Sequence, residues 1–122
     1  MSYRVNINKK YLNKSFRTDE NKIKISKHNT PLHEIIKCMV CLVLKKKDYT
    51  FDTECIFVQG GRADIFDLSN GTIYEVLASE KPVSIKRKKD YYPDKEIIEI
   101  DAKDYVNCTI NEIWEELEEK II

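Results

Sequence analysis

The chain has 122 residues, 42% of them apolar and 34% charged, which fits one domain with a single core and little apolar surface to spare. Its 21 Lys/Arg and 21 Asp/Glu cancel to a formal net charge of zero, which excludes a uniformly basic nucleic-acid binder. The longest apolar run, Cys38 to Leu44, is far too short to span a membrane, and no apolar signal core opens the chain, so a cytoplasmic protein with no membrane partner is expected.

The charge is unevenly spread. Residues 1–47 carry twelve Lys/Arg against three Asp/Glu, a net +9, and residues 48–80 carry one against seven, a net −6. Residues 81–95 return to +4 and residues 96–122 fall to −7. An acidic centre between basic blocks suits chemistry on a polyanion: basic residues neutralise phosphates and acids hold an ion. Taken singly, each basic block also reads as a solvated face.

In chain order, residues 1–29 form a basic segment with weak alternation at Tyr3-Arg4-Val5-Asn6-Ile7 and at Lys22 to Ile25, predicting an arm or short hairpin. Residues 30–122 form the main domain. Thr30-Pro31 supplies an N-cap and a first-turn proline for a helix running to about Lys46, with Ile36, Met39, Val40 and Val43 as its buried stripe. His33, Glu34 and Lys37 lie near its start, where they can reach the end of a sheet. Cys38 and Cys41 make a C-x-x-C inside this apolar helix rather than at a turn. With Cys55 and Cys108 they read as free thiols, not a zinc site.

Residues 50–58, 62–68 and 72–78 read as three strands, the first ending at Gly60-Gly61 and the last two joined by Leu68-Ser69-Asn70-Gly71 as an antiparallel hairpin. Lys81-Pro82 opens a helix through about Tyr92 with Lys86, Arg87, Lys88 and Lys89 exposed, and Pro93-Asp94 ends it. A strand over residues 95–101 and an amphipathic helix over 111–122, carrying Ile113, Trp114, Leu117 and Ile121, complete the chain. A helix between the third and fourth strands implies a parallel pairing, hence an α/β fold with a mixed sheet.

Three acids then fall on consecutive strands: Glu54, Asp64 and Glu75. Alternation puts Asp64 on the face of Arg62 and Phe66, and Glu75 on that of Ile73 and Leu77. Symmetric pairing about the turn brings Asp64 and Glu75 close enough to share Mg²⁺ or Mn²⁺, which removes their mutual repulsion. The alternative is a hairpin with acids on its solvent face.

The order helix, three strands, helix, strand, together with GGRADIFDLSNGTIYEVLASEKPVSIKRKKDYYP, resembles the PD-(D/E)xK nuclease superfamily, with a minimal restriction-endonuclease-like core over residues 30–101 and a C-terminal helix added. The likeness is to small archaeal or viral members and to competence-type nuclease domains. It implies a metal-dependent DNA endo- or exonuclease. Asp64 and Glu75 match the motif acids, Glu54 an additional acid, and His33 or Glu34 the site residue that many members supply from the first helix. The motif lysine should stand two positions after Glu75, where this chain has Leu77. Lys81, Lys86 and Lys37 are the candidates to replace it. Lys45, Lys46, Lys47, Arg62 and the basic residues from Lys86 to Lys89 are the candidate DNA contacts. Two other functions remain open: a nuclease-fold DNA-binding module without activity, and a small interaction protein, such as a homodimer joined by the Trp114 helix or a sheet edge.

Overall fold

The computed structural model describes residues 3–13, 20–78 and 91–121. Within them lie three α-helices, α1 (Tyr3–Lys9), α2 (Pro31–Lys46) and α3 (Ile110–Lys120), and four strands, β1 (Phe51–Ile56), β2 (Arg62–Asp67), β3 (Thr72–Leu77) and β4 (Ile97–Asp101), with a 3₁₀ turn at Ala102–Tyr105. The strands form one sheet in the order β1-β2-β3-β4. β1, β2 and β3 pair antiparallel in sequence, and β4 pairs parallel to β3. The fold is therefore α/β with a mixed sheet.

α2 forms where its signals place it. Thr30 Oγ1 accepts from the His33 amide at 3.2 Å, and Pro31 occupies the first turn, where its missing N–H costs nothing. The helix stops as Asp48 turns left-handed at φ 61°. Ile36, Met39, Val40, Val43 and Leu44 pack with Ile65, Tyr74, Val76 and Ile100 of the sheet. α3 starts in a reciprocal capping box between Thr109 and Glu112, and Ile113, Leu117 and Ile121 close the same cluster. Each of these apolar side chains contributes roughly 1.5–3 kcal/mol by leaving water.

A second cluster lies on the other side of the sheet, where Phe66 and Ile73 meet Val5, Leu12, Phe57 and Tyr92. The N-terminal segment differs from the expected arm or hairpin in that Tyr3–Lys9 is helical. Val5 and Asn8, three apart on the helix, are both buried, and Leu12, beyond its end, is buried where it bridges Phe57. Asn8 Nδ2 donates to the Leu68 carbonyl at 2.6 Å, which ties this helix to the β2–β3 turn. The helical period prevailed over the short alternation because it buries a stripe against Phe66 and Leu68.

The hairpin turn has the expected chemistry. Asp67 Oδ1 accepts from the Ser69 and Asn70 amides at 2.9 and 3.1 Å, and Gly71 adopts φ 74°. β1 and β4 are each shorter than expected at their outer ends. The predicted helix lies outside the described residues up to residue 90, and Tyr91 and Tyr92 stand in the turn leading to β4.

Candidate active site

Strand register assembles the acids. Thr53 faces Ile65 and Cys55 faces Ala63, so Glu54 stands opposite Asp64. On β2 and β3 the pairing runs from Asp67–Thr72 to Ile65–Tyr74, so Asp64 and Glu75 are the next residues beyond its end. The three acids thus lie on three consecutive strands, as their spacing predicted. Asp64 and Glu75 line the same cleft.

The direction in which they point was not predictable from alternation. Asp64 should share a face with Phe66, yet it meets α2, which packs on the opposite side. The recorded β2–β3 pairing ends at Ile65, and Asp64 Oδ2 accepts from the Val76 amide at 2.8 Å, filling the gap where the strands part. Glu54 reaches α2 by another route. Its φ is 46°, a left-handed conformation that costs a non-glycine residue in a strand about 1–3 kcal/mol.

From α2, His33 Nε2 lies 3.4 Å from Asp64 Oδ2 and Nδ1 lies 3.1 Å from Glu34 Oε1. Acceptors on both ring nitrogens favour the doubly protonated imidazolium. Burial pulls the His33 pKa down, but its hydrogen bond and charge attraction to Asp64, joined by Glu34, outweigh that and raise it above the ordinary 6.5. The counterpart holds for Asp64: burial pushes its pKa up, while His33 and the Val76 amide bring it below its ordinary value.

One turn along, Lys37 is fully buried. Its Nζ donates to the Lys24 carbonyl at 2.6 Å, Glu34 Oε2 at 2.8 Å and Glu54 Oε1 at 3.1 Å, which uses all three ammonium hydrogens. Burial disfavours its charge, but the two carboxylates prevail and its pKa is raised. Asn29 Nδ2 joins the same group, donating to Glu34 Oε1 at 2.7 Å and Glu54 Oε1 at 3.3 Å. The stretch before α2 is fixed to β1 through Lys24, whose amide donates to Thr53 Oγ1 at 2.9 Å and whose Nζ lies 3.0 Å from Asp52 Oδ1. Ser26, His28 and Asn29 of this stretch line a cleft of about 420 Å³ together with His33, Glu54, Asp64 and Glu75.

Gly61, Arg62, Tyr91 and Tyr92 also line the cleft. Tyr92 Oη lies 2.6 Å from Glu75 Oε1 and 2.5 Å from the Arg62 carbonyl, so its single proton bridges toward two acceptors. A Cβ at Gly61 would collide with the Tyr92 ring.

Of the residues singled out by sequence, His33, Glu54, Arg62, Asp64 and Glu75 line this one cleft, and Lys37 stands directly behind it. Lys45, Lys46 and Lys47 do not join them. They follow His33 by more than three helical turns, about 20 Å along the axis. Lys46 instead pairs with Glu118 Oε2 at 3.1 Å and covers the Trp114 ring. Lys81, Lys86, Arg87, Lys88 and Lys89 lie outside the described residues. Leu77, at the motif-lysine position, is half-buried at the end of β3 beside Asp101. Tyr92 and Asn29 escaped sequence reading. The YYP run had suggested only a helix end, and Asn29 only a residue before a cap.

Among the described residues, no group of three His, Cys, Asp or Glu side chains is disposed to hold a metal ion. All four cysteines are free, with Cys41 and Cys55 buried. No described helix is long and apolar enough to cross a membrane.

No family model, curated protein or solved structure matches this chain. The reading of the cleft therefore rests on its chemistry.

Proposed function

We propose that the cleft is the active site of a metal-dependent DNA nuclease that hydrolyses phosphodiester bonds, built on a minimal restriction-endonuclease-like core. The observation that carries this reading is that Asp64 and Glu75, two carboxyls from adjacent strands, line one cleft. Such a pair requires a proton or a cation to offset its repulsion. Oxygen donors of this kind suit Mg²⁺ or Mn²⁺, and a hard cation held by one or two carboxylates keeps several waters, so a complete protein cage is not required. The order α2, β1, β2, β3, β4, with β4 parallel to β3, supports the nuclease-type core.

Asp64 and Glu75 would hold the ion, with His33 beside Asp64 positioning its carboxylate. When bound, the ion supplies Lewis acidity to the phosphate and lowers the pKa of a coordinated water. The protein's own groups do the rest. Tyr92 orients Glu75 by its hydrogen bond, and the Val76 amide fixes Asp64. Arg62, exposed at the cleft, is the cation placed to meet a phosphate. With Leu77 at the motif position, Lys37 is the buried lysine that pairs with Glu54, and it acts by fixing Glu54 and Glu34.

The reading is tested by incubating single-stranded, duplex and nicked DNA with the protein and Mg²⁺ or Mn²⁺. Cleavage that disappears in EDTA and in Asp64→Ala supports it, whereas cleavage indifferent to Asp64→Ala overturns it. Leu77 favours one second reading, a DNA-binding module without hydrolysis. Its signature is affinity that falls with salt, ignores metal and comes with no cleavage.

A further inference from the structure

At the mouth of the cleft one aromatic ring is exposed while its backbone is firmly held. Tyr91 is 57% exposed, although a residue of this size ordinarily buries most of its ring. Its carbonyl accepts from the Gly61 amide at 2.9 Å, and the next residue, Tyr92, is buried and anchored on Glu75 and the Arg62 carbonyl. Tyr91 is thus attached to the same scaffold that positions Glu75. Arg62, also exposed, lines the same cleft.

An exposed ring and an exposed guanidinium lining one cleft match a ligand with a flat face next to a phosphate. A nucleotide has both. Within an intact duplex each base face is covered by its neighbours, so only an unpaired or terminal base can lie on a protein ring. We propose that the cleft takes single-stranded DNA, or the unpaired end of a duplex, with one base stacked on Tyr91 and the adjoining phosphate on Arg62. This rests on the nuclease reading and narrows its substrate.

The test is fluorescence anisotropy with a labelled twelve-nucleotide oligothymidine and with a blunt hairpin duplex of equal length. Ca²⁺ replaces Mg²⁺ to suppress cleavage. The wild type should bind the single strand more tightly. Tyr91→Ala should weaken single-strand binding about tenfold, the typical loss of one stacked base, and leave duplex binding unchanged. Tyr91→Trp should restore it, which separates stacking from a fold defect. Equal affinity for the two forms, or a Tyr91→Ala protein that binds like wild type, overturns the stacking proposal. If Asp64-dependent cleavage persists in that case, the hydrolase reading stands alone. Absence of both binding and cleavage on every DNA form overturns both.

Discussion

The Lys37 ammonium lies 3.1 Å from Glu54 Oε1, joining a fully buried lysine on α2 to a residue in left-handed conformation within β1. The second carboxylate on Lys37, Glu34 at 2.8 Å, hydrogen-bonds His33, which in turn faces Asp64. The acids on the strands are therefore connected to α2 by a chain of alternating charge. Coulomb attraction at these distances counts for more in the interior than in water, and so does the loss of any one member.

Removing the cation from this chain leaves Glu34 and Glu54 close together without it. Lys37→Met keeps the stem volume and deletes the charge, and it should destabilise the fold by about 3–5 kcal/mol, the usual cost of breaking a buried pair on one side. Urea unfolding followed by circular dichroism measures this. A loss below about 1 kcal/mol would place Lys37 among ordinary surface-type pairs.

The backbone at Glu54 allows the side chain and the strain to be separated. Glu54→Ala removes the carboxylate and keeps the left-handed conformation, while Glu54→Gly removes both the carboxylate and the steric conflict. The glycine variant should be the more stable of the two by about 1 kcal/mol, the reverse of the order expected in a regular strand. Paired chemical denaturation curves decide the order.

Stability should depend on pH from two sides. His33 has a raised pKa, so its contribution is fully present below the unfolded value of 6.5 and is lost as pH rises through the higher folded value. Glu34 and Asp64 have lowered pKa values, so their contributions are present above the unfolded values of 4.5 and 3.8 and are lost as pH falls through the lower folded ones. Thermal melts in metal-free buffer should be highest between about pH 4.5 and 6.5. His33→Gln should flatten the alkaline decline and leave some of the acid decline, which belongs also to Glu34.

The thiols provide an independent check on packing. Burial pushes the Cys41 and Cys55 thiols far above their ordinary range, while Cys38 and Cys108 are partly exposed. In the native protein at neutral pH, an aromatic disulfide reagent should modify two thiols quickly and the other two only on unfolding. Mass spectrometry of the labelled peptides identifies which ones.

The parts of the fold that were legible in sequence are those governed by local chemistry. Thr30-Pro31 announced α2, and Ser69-Asn70-Gly71 announced the antiparallel hairpin that carries Asp64 and Glu75. Long-range geometry was not legible. The left-handed turn at Glu54 has no sequence signal, since glutamate rarely adopts it, and the escape of Asp64 from strict alternation depends on where the β2–β3 ladder ends. Tyr92 reaches Glu75 from a turn 17 positions later, which no short-range period encodes. Lys45 to Lys47 cluster in sequence, and helix length takes them to the end of α2 away from His33.

The central claim is that Asp64 and Glu75 share a divalent cation, and anomalous diffraction from Mn²⁺-soaked crystals tests it most directly. The predicted result is a manganese peak within about 2.5 Å of both carboxylates, absent from Asp64→Ala crystals soaked in the same way. A cleft without a manganese peak, or peaks confined to exposed surface acids, would contradict it.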